Sequence, residues 1–181
     1  CCNLYDLRTQ ELLYKPYAIH SFDKTKVAII GIATPYSFIS STPSYFQNEK
    51  GEYIYSLCSD NFFETVQKNV DQARAEGADF VIVICHLGDD VAFDEINSPG
   101  LATSTHGIDV ILDGHAHSII HGKAYLNAKR EEVILTSTGS NFENIGRLTI
   151  SRRGIIDTEL IPVDKIKERD ANVTALTEEI K

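Results

Sequence analysis

Asp109-Val110-Ile111-Leu112-Asp113-Gly114-His115-Ala116-His117 is an apolar run of strand character that ends in a glycine and two histidines one residue apart. Alternate side chains of a strand share a face, so residues spaced by one at its end can reach into the same cleft. Gly114 releases the chain from the ladder at that point. Imidazoles placed in this way suit one divalent cation or two adjacent ones. Two solvated surface histidines would look the same, so the neighbouring sequence has to decide between the readings.

Upstream, Asp79-Phe80-Val81-Ile82-Val83-Ile84-Cys85 is a second run of the buried type, followed at once by His86-Leu87-Gly88. An irregular helix is predicted between the two runs, from about Phe93 to Ser104. A better punctuated helix precedes them. Asn61 stands in the capping position with Glu64 three residues on, as in a capping box. Phe62, Phe63, Val66, Val70 and Ala73 form one apolar face, and Gly77 marks the stop. Before it, Lys26-Val27-Ala28-Ile29-Ile30-Gly31-Ile32 is continuously apolar, the mark of a strand covered on both faces. This alternation of β and α predicts a largely parallel sheet with right-handed crossovers. Ligands collect at the carboxyl ends of such strands, where His86, His115 and His117 all fall.

The flanks are of a different kind. Leu12 to Ile19 reads as a strand interrupted by Pro16, hence an edge or a bulge. Thr34 to Ser59 reads as a long loop, which in a compact domain is functional or covers something. Downstream, Val133 to Thr136, Gly146 to Ser151 and Ile155 to Val163 read as short antiparallel strands, with Arg153-Gly154 at a hairpin tip. From Asp164 the pattern turns helical, with Ile166, Val173, Leu176 and Ile180 as a narrow apolar stripe. The predicted organisation is a partial catalytic-type domain over residues 1–163 and a linker helix over 164–181.

The 181 residues suffice for one domain with a core, and 43% hydrophobic with 24% charged residues is an ordinary globular balance. A formal net charge of -9 argues against a nucleic-acid surface, which needs a basic patch. An anionic small substrate is still compatible, because bound cations reverse the local field. No run approaches a membrane-spanning length, and no signal-peptide pattern is present. The start at Cys1 and the absence of any Met read as processing or truncation. An acylated lipoprotein cysteine is the weaker reading of Cys1, since Cys2-Asn3-Leu4 supplies no polar tether. The four cysteines show no Cys-x-x-Cys spacing, and Cys85 reads as a small apolar residue.

A buried strand followed by His86-Leu87-Gly88 and another followed by Gly114-His115-Ala116-His117 resembles the calcineurin-like metallophosphoesterases, among them the 5'-nucleotidase family. The resemblance also takes in Cys2-Asn3-Leu4, the Val27 to Thr34 strand, Gly77-Ala78-Asp79, Gly107-Ile108-Asp109-Val110-Ile111 and Gly146-Arg147-Leu148. It implies an α/β fold, the C-terminal half of a four-layer α/β/β/α sandwich with parallel strands followed by antiparallel ones. It implies two divalent metal ions (Zn, Mn, Co or Fe), with His86 and His115 on one and His117 on the other. The family's Asp-x-His, bridging Asp and Asn-His pair lie upstream in its members, so the catalytic residues are expected upstream of Cys1. The resemblance therefore implies hydrolysis of nucleotide phosphate esters, of the 5'-nucleotidase or 2',3'-cyclic-nucleotide phosphodiesterase type, by a longer protein. A C-terminal substrate domain and an extracytoplasmic location are implied as well, while this chain alone would be nearly inactive and would leave an apolar face exposed.

Other candidates carry less. Asp113 either orients a metal histidine as an acceptor or is an exposed carboxylate at a strand end. Asp89 and Asp90 could line the cleft mouth. His106 and His121 read as solvated loop residues, and His20 has no partner pattern. Tyr36, Phe38, Tyr45 and Phe46 form either a stacking platform or a packed lid. An amidohydrolase barrel would need far more chain after His117. A metallo-β-lactamase site would want an acid soon after it, which Ser118-Ile119-Ile120-His121 does not supply. The rival from another class is a non-catalytic binding module derived from a metallophosphatase, which predicts no metal-dependent behaviour.

Overall fold

A computed structural model describes residues 1–90 and 96–166. Strands β1 (Tyr5–Asp6) and β2 (Glu11–Leu12) open the chain, followed by β3 (Tyr17–Phe22) and β4 (Thr25–Ala33). Pro16 falls in the break between β2 and β3, as a residue without an N–H should. The segment read as one long loop contains α1 (Ser37–Ser40), a 3-10 turn at Pro43–Phe46 and β5 (Tyr55–Ser56), which joins β1 and β2 in a small sheet. Next come α2 (Phe62–Ala75), β6 (Phe80–His86), α3 (Ser98–Ser104) and β7 (Val110–Asp113). The chain continues through β8 (Ile119–Leu126), β9 (Glu132–Thr138), β10 (Asn144–Ile150) and β11 (Ile156–Pro162).

The main sheet has the order β3-β4-β6-β7-β9-β8. Its central strands β4, β6, β7 and β9 are mutually parallel, and β3 and β8 close the two edges in antiparallel sense. Two expectations are corrected here. The Val133 to Thr136 segment belongs to β9, which pairs in parallel with β7 and so extends the parallel sheet. The segment from Ile119 on, which includes His121, is a strand rather than a loop. The antiparallel reading holds for β10 and β11, whose ribbon pairs Ile150 with Ile156 around Gly154 at φ +78°.

One face of the sheet packs on the helices. Ala28, Ile30, Val81, Val83, Ile111 and Leu135 meet Phe62, Val66 and Val70 of α2 and Leu101 of α3. The apolar stripe on α2 thus does what its spacing predicts, and each fully buried branched side chain contributes roughly 1.5–3 kcal/mol of transfer free energy. The expected Asn61 cap does not form: a 3-10 turn over Ser59–Asn61 leads into the helix, and the Asn61 side chain makes no cap bond. The effective cap in this region belongs to α3, where Asn97 Oδ1 accepts from Gly100 N–H at 2.7 Å and Pro99 occupies the first turn. The expected helix start at Phe93 lies outside the described residues, as does nearly all of the 164–181 linker helix.

The opposite face is covered at one end. Val27, Ile82 and Val110 pack with Phe80, Leu112 and Ile134 under Leu148, Ile150 and Ile156 of the β10–β11 ribbon. Nearer the histidines the cover gives out, and Ile84 in the middle of central strand β6 is 50% exposed.

At the carboxyl end of the sheet Asn3, itself fully buried, extends β4 with its side chain. Its Oδ1 accepts from Ala33 N–H at 3.1 Å and its Nδ2 donates to Ala33 O at 2.8 Å and Leu57 O at 3.1 Å. Ala33 is the register partner of His86 across the β4–β6 ladder. The first residues of the chain therefore brace the strand end on which the candidate site is built.

Candidate metal centre

His86 is the last residue of β6, and His115 follows two residues after the end of β7. Parallel pairing of these strands, with Ile84 opposite Leu112, delivers both histidines to one end of the sheet. His115 Nδ1 and His86 Nε2 are 3.1 Å apart, and the ring centroids are 4.8 Å apart with the planes at 68°. Gly114 lies beside the pair, where a Cβ would come into van der Waals contact with His86 Nδ1 at 3.4 Å. Gly88 is the glycine the site requires, because it has φ +79° and a Cβ would meet His115 Cδ2 at 3.2 Å and Ala116 Cβ at 3.3 Å. His115 and His117 themselves have φ +76° and +58°, left-handed values costly for side chains of this kind. Such strain persists only where the surroundings over-determine it, and it clusters at ligand sites.

The spacing of the pair fits a cation. Metal–imidazole bonds of about 2.0–2.1 Å at angles of roughly 90–110° put two coordinating nitrogens about 2.9–3.4 Å apart. At this separation the two nitrogens are also within hydrogen-bond reach, the tautomer setting which of them donates. Partial burial lowers the pKa of His86, and the His115 imidazole lowers it further against the opposite pull of Asp113; His117 adds a smaller push in the same direction as His115. Both effects favour neutral imidazole, the form that ligates. His117 is exposed on the same loop. Among the described residues no three His, Cys, Asp or Glu side chains converge as a complete cation site. The pair supplies two donors, fewer than the four that a tetrahedral cation takes.

A cleft of about 400 Å³ opens beside the pair, lined by Thr34, Tyr36, Leu87, Gly88, Asp90 and His115. Tyr36 stands edge-on to the His115 ring at 5.9 Å. The other aromatics divide between the two readings offered for them: Phe38 packs on Phe46 and Tyr53, as a lid would, and Tyr45 is exposed. Asp113 does not serve as an exposed carboxylate. Its Oδ1 accepts from Leu87 N–H at 3.0 Å, Gly88 N–H at 3.2 Å and the Cys85 thiol at 3.2 Å. Asp89 Oδ1 accepts from Ser118 Oγ at 2.6 Å, a link between the two histidine loops that no spacing in the sequence announces. His106, read as solvated, is half-buried and tied to α2: its N–H donates to Gln67 Oε1 at 2.8 Å and its carbonyl accepts from Gln67 Nε2 at 3.1 Å. His121 and His20 are exposed on the edge strands β8 and β3.

No protein-family profile matches the chain. Over 143 residues it is 29% identical to the 2',3'-cyclic-nucleotide 2'-phosphodiesterase/3'-nucleotidase of Salmonella typhimurium, a match covering 72% of this chain and 21% of that protein. The calcineurin-like phosphoesterase YfkN from Bacillus subtilis superposes with a TM-score of 0.72 at 21% identity, over 98% of this chain and 60% of that one. The sulfate thiohydrolase SoxB of Thermus thermophilus superposes with a TM-score of 0.73 at 22% identity, over 98% of this chain and 30% of that one. The proteins this chain is similar to are nucleotide phosphoesterases in sequence and 5'-nucleotidases and calcineurin-like phosphoesterases in fold. Its parallel-then-antiparallel α/β architecture is the metallophosphoesterase fold, present here in part. Calcineurin-like metallophosphoesterases use divalent metals, and the chain spans about a fifth of the length of the nucleotidase it matches.

Proposed function

We propose that the chain is part of a longer hydrolase of nucleotide phosphate esters and contributes one side of its dimetal centre. The observation that carries this reading is the 3.1 Å approach of His86 Nε2 and His115 Nδ1 at the carboxyl ends of adjacent parallel strands. A pair of divalent ions, when bound, polarises the phosphoryl group and supplies the hydroxide that attacks it. His86 and His115 would hold one ion, and His117 would contribute to the other. The carboxylate shared between the ions and the group assisting the leaving oxygen would come from chain upstream of Cys1. Residues 1–163 form part of the metallophosphatase domain on this reading, and 164–181 lead towards a substrate domain. An extracytoplasmic location belongs to the same proposal and rests on the relationship alone. No helix among the described residues is long and apolar enough to cross a membrane.

The cleft beside the pair is lined by Thr34, Tyr36, Leu87, Gly88, Asp90, His115 and Ala116 with no Lys or Arg among them, and in a protein of formal net charge -9 bound cations would reverse the local field for an anionic ester. The test is hydrolysis of 2',3'-cyclic AMP, 3'-AMP and 5'-AMP by the full-length protein, with and without a chelator. The expected result is turnover that the chelator removes, that divalent cations restore, and that His115→Ala abolishes. Turnover indifferent to the chelator would overturn the proposal, and cation binding with no hydrolysis of any of these esters would favour a binding module.

A further inference from the structure

Cys85, Leu87 and Gly88 surround His86 in sequence, and all three donate to one atom, the Oδ1 of Asp113. Asp113 ends β7, and His115 comes two residues later. One carboxylate oxygen therefore grips the chain on both sides of the first histidine while its own backbone leads into the second. Leu87 and Cys85 are buried, so the turn cannot satisfy itself with solvent on that side. The turn and the second histidine are also close neighbours, because a Cβ added to Gly88 would stand 3.2 Å from His115 Cδ2 and 3.3 Å from Ala116 Cβ. Any relaxation of residues 85–88 displaces His86 relative to His115.

We infer that Asp113 is a positioning residue, whose Oδ1 clamps the Cys85-to-Gly88 turn against the end of β7 and so holds the His86 and His115 nitrogens at the spacing of one cation before a cation binds. The inference deepens the dimetal reading above and rests on it. Asp113 acts here on two backbone N–H groups and the Cys85 thiol, and not by accepting a histidine N–H, one of the two readings the sequence offered. Asn keeps an acceptor oxygen in the same place without the charge, whereas Ala leaves the Leu87 and Gly88 N–H groups without this partner. If geometry is the function, Asn should substitute well and Ala should not.

The experiment measures Co²⁺ affinity and the visible Co²⁺ spectrum of the full-length protein for the wild type, Asp113→Asn, Asp113→Ala and His115→Ala. Amide hydrogen exchange of the cation-free proteins is followed at Leu87 and Gly88. Asp113→Ala is expected to weaken Co²⁺ binding by about 10–100-fold, the usual effect of removing a group that orients a metal ligand, with Asp113→Asn within about threefold of wild type. Leu87 and Gly88 should exchange faster in Asp113→Ala with Val83 and Leu135 unchanged. Wild-type Co²⁺ affinity in Asp113→Ala would overturn the inference, and so would an Asp113→Asn variant as weak as Asp113→Ala, which would make charge and not geometry the contribution. If His115→Ala leaves Co²⁺ binding intact, the dimetal reading fails. The exchange result still judges the clamp by itself, because unchanged protection of Leu87 and Gly88 in Asp113→Ala overturns it.

Discussion

Ser118 Oγ donates to Asp89 Oδ1 across 2.6 Å, and this bond joins the loop carrying His115 and His117 to the loop that follows His86. It lies on the far side of the histidine pair from the Asp113 clamp in sequence, so the two loops are tied both before and after the histidines. A hydrogen bond to a charged acceptor typically contributes about 1.5–3 kcal/mol, less where solvent reaches it. Ser118→Ala is expected to lower the unfolding free energy by about 1 kcal/mol in urea titration, with faster amide exchange over residues 115–118. A neutral result on both measurements would show that the bond does not order the loop.

Gly88 and Gly51 have the same φ of +79°, but their surroundings differ. Nothing lies within 4 Å of a Cβ built on Gly51, whereas one on Gly88 would press on His115 and Ala116. Gly51→Ala should therefore show the backbone cost alone, about 1–2 kcal/mol for a left-handed residue. Gly88→Ala should show that cost and also displace His115, so its cation affinity should fall while that of Gly51→Ala stays at wild type. Paired urea and Co²⁺ titrations check this, and equal cation affinity in the two variants would refute it.

The parallel half of the sheet was legible because its signals are local: β4 and β6 are unbroken apolar runs, and α2 shows its face at helical spacing. β8 was not, for a physical reason. A register shift between His121 and Lys123 moves the strand by one residue, so its apolar positions do not alternate, and it is an edge strand with little deep burial. His86, His115 and His117 could be picked out because glycine and strand ends punctuate them. The role of Asp113, the Ser118–Asp89 bond and the seat of His106 on Gln67 are contacts between segments 25–39 residues apart, and no spacing rule encodes them. The Asn61 cap is absent where a 3-10 turn over Ser59–Asn61, closed by Asn61 N–H on Cys58 O at 3.3 Å, leads straight into α2, a local turn that the capping-box spacing does not foresee.

Cys2 is fully buried, and burial pushes its thiol up to about 12. In the unfolded chain a cysteine titrates near about 8.5, so between these values the folded state holds a proton that the unfolded state has lost. Stability from this group is intact below about pH 8.5 and falls as pH rises, by up to about 1.4 kcal/mol per pH unit. Urea midpoints at pH 8, 9 and 10 should decline more steeply for the wild type than for Cys2→Ala. The same thiol should resist a disulfide exchange reagent at pH 8 until denaturant is added, because the thiolate is the reactive form. Parallel pH profiles for the two proteins would sink this account.

Leu135 and Ile84 are both aliphatic residues in the parallel core of the sheet, yet Leu135 is 0% exposed and Ile84 50%. Leu135 lies on the helix-covered face; the Ile84 side chain stands on the face where the β10–β11 ribbon stops short of the histidines. Leu135→Ala should cost about 2–5 kcal/mol in the 181-residue chain, the range for emptying a packed site. Ile84→Ser should cost no more than about 0.5 kcal/mol there, as at other surface positions. In the full-length protein the two should converge if upstream chain covers this face, because Ile84 would then be a core residue on its second side too. Measured in both lengths of protein, a large Ile84→Ser penalty confined to the longer one is the expected result. A small penalty in both would mean that nothing packs on the open face beside the histidine pair.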